Sequence, residues 1–145
     1  MEEESILDPV PEFKLYSETA VRAATFFGGP LIAGYLIAEN FKLLGHPEKA
    51  KATWLYAIGA SIVILGGVFL IPGTANIPNY IIPLAYAWGA SLIVHQTQGN
   101  ELKKHIETGG QMFSFWRIAG ISLVGLVITA GILFILVLLT EKELL

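Results

Sequence analysis

The sequence predicts an all-α membrane protein, a single domain over residues 1–145 with four transmembrane helices. Three observations carry this. Four apolar stretches, about 20–38, 52–71, 77–94 and 118–139, each approach the roughly 20 residues a helix needs to cross the hydrocarbon core. Hydrophobic residues make up 54% of the chain and charged ones only 14%, too few to cover a soluble domain. The charges are also segregated: no Asp, Glu, Lys, Arg or His lies within 52–71, 77–94 or 118–139. A soluble protein with such helices would have little polar surface to offer water.

Residues 1–17 read as an acidic, extended N-terminal arm, since Asp8-Pro9-Val10-Pro11 resists helix. The arm lacks the positive start and short apolar core of a cleaved signal peptide, so the first helix is expected to be its own insertion signal. Ser17 is a natural N-cap, with Glu18 in the first turn where the helix dipole favours negative charge. Gly28-Gly29-Pro30 then predicts a kink near the middle of helix 1. Gly45-His46-Pro47 is a turn, with Pro47 at the first position of helix 2. Trp54 and Tyr56 suit an interfacial belt. An uncharged connection, 72–78, leads to helix 3, which carries Pro83. The loop 96–115 is expected to hold a short interfacial helix between helices 3 and 4, capped by Asn100, ending at Gly109-Gly110, with Leu102 and Ile106 on one face.

Lys and Arg in the loops set orientation. The first connection holds Lys42, Lys49 and Lys51, and the third holds Lys103, Lys104 and Arg117. Lys14, Arg22 and Lys142 oppose them from the ends, which predicts both larger loops inside and both termini outside. In a bacterium that is the inner membrane with periplasmic termini. A faint internal repeat pairs Pro30-Leu31 with Pro83-Leu84, and Trp54 followed by Gly59–Val63 with Trp116 followed by Gly120–Val124.

Small residues recur at helical spacing. Ala24, Gly28, Gly29, Pro30, Ala33 and Gly34 in helix 1, and Pro83, Ala85 and Gly89 in helix 3, are the expected helix-packing positions. Arg22, Glu39, Asn40, His95 and His105 are the candidates for polar or partner contacts. Arg22 sits about one turn into helix 1, where it contacts an anion or lipid phosphate, partners a carboxylate, or snorkels to the headgroups. Glu39 and Asn40 close the same helix, either as a pair that binds a cation or a polar partner group at the inner face or as a helix end in the headgroup zone, with Lys42 or Lys51 to hold the Glu39 carboxylate.

No metal, cofactor or catalytic residue is expected. There is no cysteine, and the histidine spacing matches no zinc pattern. The scattered basic residues exclude a nucleic-acid patch. Ser61, Ser91, Ser122 and Thr129 have no base at their depth, so such hydroxyls should bond back to their own helices.

The run Phe26-Phe27-Gly28-Gly29-Pro30-Leu31 through Tyr35, then Asn40-Phe41-Lys42-Leu43-Leu44-Gly45, resembles a pattern in small, uncharacterised bacterial inner-membrane proteins. Gly109-Gly110 with Ser114-Phe115-Trp116 looks similar to the same group. The resemblance covers the first helix and its loop well and the rest weakly. It implies a bacterial membrane protein and carries no activity, site or cofactor.

The leading functional expectation is therefore a non-enzymatic membrane protein that packs as a homo-oligomer or as an accessory subunit of a larger membrane complex. The alternative is a small transporter or channel built from two related helical hairpins. A lipid- or metal-modifying enzyme using His95, His105 and Glu107 is the third class.

Overall fold

The computed structural model describes residues 10–143, so the arm's first nine residues and the last two lie outside the described residues. Five α-helices dominate: α1 (Glu18–Gly28), α2 (Pro30–Leu43), α3 (Pro47–Leu70), α4 (Ile81–Glu107) and α5 (Phe115–Glu143). A short 3-10 turn, Thr74–Asn76, joins α3 to α4. Two minimal strands, β1 (Lys14–Leu15) and β2 (Gln111–Met112), pair in parallel, Lys14 with Gln111 and Leu15 with Met112.

The first apolar segment does not form one kinked helix. Ser17 caps α1, its Oγ accepting from the Ala20 N–H at 3.1 Å. The helix ends at Gly29, whose φ of 91° and ψ of 173° belong to a region that only glycine enters easily. Pro30 opens α2, where its missing N–H costs nothing. A continuous helix would hold residues 16 and 40 about 36 Å apart. Instead the Tyr16 N–H donates to Asn40 Oδ1 at 2.8 Å. The chain therefore reverses at Gly29, and α1 and α2 form an antiparallel hairpin. At 11 and 14 residues these helices are about 16 and 21 Å long, short of a roughly 30 Å hydrocarbon core.

Three longer helices surround the hairpin. α3 returns along α2, with Gly34 against the Ala57 methyl. A β-carbon at Gly34 would collide with that methyl, so the absence of a side chain there sets the closeness of the two helices. α4 covers α1 and reaches α2 through Ala87, Ala90, Ser91, Val94, Gln98 and Leu102, all buried. α5 runs beside α1, and Gly125 sits against Ile32 and the Gly28 carbonyl. The core thus belongs to the hairpin: Val21, Ala24, Leu36 and Ala38 are fully buried. By contrast α3 buries only Ala50, Ala57 and Ser61, and α5 only Gly125. Both are long and apolar enough to cross a membrane.

The hairpin gives the bundle two unlike ends. Its open end gathers Tyr16, Asn40, the α2–α3 turn, the last turns of α4 and the β1–β2 pair. Its closed tip meets Thr129, halfway along α5. From Thr129 to Glu143 the helix continues for about 21 Å. Residues 10–17 and the end of α5 therefore lie at opposite ends of the bundle.

Two further expectations change. The segment expected as a separate interfacial helix is the continuation of α4, which runs unbroken from Ile81 to Glu107, so Asn100 is mid-helix. Packing of Gln98, Leu102 and His105 against the hairpin and the arm extends the helix past its apolar half. Ile106 is 57% exposed, so Leu102 and Ile106 do not share a buried face. Pro83 lies in the first turn of α4, where no helical hydrogen bond is lost. Pro30 instead follows a chain reversal, so the two prolines of the apparent repeat occupy different settings.

Candidate functional site

Six polar side chains are buried among the described residues: Asn40, Ser91, Gln98 and His105 toward the open end of the hairpin, and Thr25 in α1 and Ser61 in α3 nearer its tip. One stripe of α4 supplies half of them. Ser91, His95, Gln98, Leu102 and His105 follow i, i+4, i+7, i+11, i+14, one face of a helix.

Asn40 and Gln98 form the inner layer, both fully buried. The Asn40 carboxamide accepts from the Tyr16 N–H at 2.8 Å and donates to the Tyr16 carbonyl at 2.8 Å. The same Nδ2 donates to Gln98 Oε1 at 3.0 Å, and Gln98 Nε2 donates to the Ile37 carbonyl at 3.0 Å. Two side-chain amides thus serve three main-chain groups where the arm, α2 and α4 meet. A buried main-chain group without a partner costs about as much as a lost hydrogen bond.

Tyr16 turns its ring outward from this layer onto Phe113, with centroids 4.2 Å apart. Its hydroxyl accepts from Arg117 Nε at 2.9 Å. Burial raises the Tyr16 phenol above its ordinary value of 10.0, opposed by the hydrogen bond and charge of Arg117. Arg117 also lies over the Phe113 ring, 4.5 Å from its centroid.

The outer layer joins α1 to α4. Arg22 donates to Ser91 Oγ from Nε at 3.1 Å and from Nη2 at 2.9 Å. It also pairs with Glu18 Oε1 at 3.2 Å. Ser91 Oγ donates to the same Glu18 oxygen at 2.9 Å, and His95 Nδ1 lies 3.2 Å from Glu18 Oε2. The Arg22 guanidinium stands 4.3 Å above the Trp88 ring. Arg22 is thus held by a carboxylate, a hydroxyl and an indole, which matches the carboxylate partner among its expected alternatives. Ser91 bonds across helices, whereas Ser61 and Ser122 bond back to the Ala57 and Ile118 carbonyls of their own helices. Thr129 donates across to the Gly28 carbonyl at the hairpin tip, 3.1 Å away.

The remaining candidates separate. Glu39 faces away and pairs with Lys42 at 3.1 Å on the surface, so it does not form a site with Asn40. His105 is buried under Phe13, ring centroids 5.1 Å apart, and its Nε2 lies 2.9 Å from the Gln111 carbonyl. His95 and His105 stand about 15 Å apart along α4, and Glu107 is exposed, so these three do not converge. Ala24, Gly28, Gly29, Pro30, Ala33 and Gly34 are all buried within the hairpin and its neighbours. Ala85 is exposed, and a β-carbon at Gly89 would meet nothing within 4 Å, so this pair makes no close contact inside the chain.

Sequence reasoning missed Tyr16, Glu18, Ser91, Gln98 and Arg117. The signal for Ser91 and Gln98 was the polar stripe crossing from the apolar into the polar half of α4. Glu18 and Arg22 at i, i+4 carried the signal for the surface pair. Tyr16 and Arg117 had none, because their meeting depends on where α5 begins relative to the arm.

Each polar group of the outer layer is engaged by another. Comparison with protein-family models, curated proteins and solved structures finds no match to this chain.

Proposed function

We propose that this chain is a multi-pass inner-membrane protein that acts without catalysis, as a homo-oligomer or an accessory subunit of a larger membrane complex. In this reading α3, α5 and the apolar half of α4 cross the bilayer, and the α1–α2 hairpin enters from one face and returns to it. The observation that carries it is the separation of surfaces: apolar outward faces on α3 and α5, with the interacting charged and amide side chains gathered toward the open end of the hairpin. Non-helical backbone at membrane depth is tolerated where protein buries it, and Gly28, Gly29 and Pro30 are buried.

Seven of the nine basic residues lie at the open end, Lys142 alone at the other, and Arg22 within the hairpin. That imbalance supports an inward-facing open end, with the N-terminus inside and the C-terminus outside. The open end is then a cytoplasmic platform for recognition, and the outward small residues Ala85 and Gly89 offer room for another helix.

The test is gentle extraction from the native membrane, measurement of particle mass and identification of what co-purifies. A mass above one chain is expected, reduced by Gly89→Leu, which has free space around it. A single chain with no companion overturns the proposal.

A small transporter or channel remains the second reading, favoured by the hairpin tip at mid-depth. The tip is closed by Thr129 and Gly125, and the grooves beside it are apolar, which weighs against a polar pathway. Solute flux in liposomes that vanishes on Pro30→Ala would support it.

A further inference from the structure

α3 and α5 both pack on α2 but stand apart from each other, leaving a groove between them with α2 as its floor. At the open end of the hairpin the groove encloses about 490 Å³, a volume typical of small-molecule sites. Its mouth is formed by Arg117, Tyr35, Trp54 and Trp116, and its depth by Leu31 and Ile128. From Arg117 to Ile128 the helix rises about 16 Å, close to half of a roughly 30 Å hydrocarbon core.

We infer that this groove binds one anionic phospholipid of the leaflet at the open end, with its phosphate on Arg117 and one acyl chain along the groove to Ile128. The inference rests on the membrane reading above. Charge complementarity selects the occupant. Among the described residues no carboxylate lies within ion-pair distance of Arg117, whereas Arg22 is paired with Glu18. Arg117 is also held in place: its Nε donates to the Tyr16 hydroxyl at 2.9 Å and its plane rests on Phe113. That leaves the terminal nitrogens of the fork for a phosphate, a geometry arginine supports with two parallel hydrogen bonds. Tyr35 and Trp54, 6.3 Å apart in an edge-on pair, supply the aromatic rim that belongs at headgroup depth. Below the rim the wall is apolar, as an acyl chain requires.

The test is native mass spectrometry of the full chain released from micelles containing phosphatidylglycerol or phosphatidylcholine. A single retained phosphatidylglycerol is expected, favoured about tenfold over phosphatidylcholine. Arg117→Gln should abolish the preference. Gly120→Trp fills the groove from a position whose β-carbon meets nothing within 4 Å, and should abolish retention while the melting temperature holds. Equal retention of both lipids, or an unchanged adduct in Gly120→Trp, would overturn the inference. Alkaline carbonate extraction of native membranes separates the two readings. Release of the chain by carbonate sinks both, and a membrane-retained chain without a lipid adduct sinks only the lipid site.

Discussion

The carboxamide of Asn40 pairs with both main-chain groups of Tyr16, accepting from its N–H and donating to its carbonyl, each at 2.8 Å. One side chain on α2 thus takes the place of a neighbouring strand for the arm. It locks the open end of a hairpin whose closed end is one glycine.

Asn40→Ala leaves the Tyr16 N–H and carbonyl and the Gln98 carbonyl oxygen buried without this partner. The expected loss is about 3 kcal/mol, since each orphaned buried group costs on the order of 1–3 kcal/mol. Asn40→Asp should be as harmful, because it sets acceptors against the Tyr16 carbonyl and Gln98 Oε1. Thermal unfolding in mild detergent reads both, and an Asp variant as stable as wild type would contradict the network.

Gly29→Ala forces a side chain into a backbone region reserved for glycine and brings a β-carbon 2.6 Å from Thr129 Oγ1. A loss of roughly 1–3 kcal/mol is expected from the backbone alone. Adding Thr129→Ala removes the collision and leaves the backbone strain, so the double variant should recover only part of the stability.

Gly34→Ala drives a methyl into Ala57 and must push α3 off α2. Overpacking of this kind costs about 1–3 kcal/mol. Gly89→Ala, which meets open space, should be near neutral in the same assay.

Stability should fall at alkaline pH through Tyr16. Its folded phenol titrates above 10.0, so the unfolded chain binds fewer protons once the pH passes that value. The slope of stability against pH is then negative, and stability is lost as pH rises from about 10 upward. Tyr16→Phe should flatten this part of the melting-temperature profile relative to wild type.

The chain has no cysteine, so single-cysteine variants report sidedness directly. Lys14→Cys and Lys142→Cys should be labelled by an impermeant maleimide from opposite faces of the membrane. Labelling of both from one face would contradict the hairpin.

Much of the fold was legible. Apolar length announced α3 and α5, and Ser17, Pro47 and Glu48 placed helix starts within a residue or two of those found. Gly28-Gly29-Pro30 was legible as a break but not as a reversal. Local chemistry forbids a continuous helix there, yet a kink and a turn satisfy the same three residues. The choice falls to Asn40 and Gln98, far along the chain, which reward the reversed form with four buried hydrogen bonds. Asn100 was misjudged for the opposite reason: capping propensity is worth about 1 kcal/mol, and burial of Leu102 and His105 along α4 outweighs it.

The sequence by itself determined the helical class, the apolar faces of α3 and α5 and the confinement of charge, because hydropathy and length act within one segment at a time. The tertiary structure alone decided the direction of the chain after Gly29, the opposite ends at which residues 10–17 and the end of α5 lie, and the partners of Tyr16, Arg22 and Arg117. Apart from the i, i+4 pair of Arg22 with Glu18, those depend on pairings between residues 24 to 101 positions apart, which no local pattern encodes.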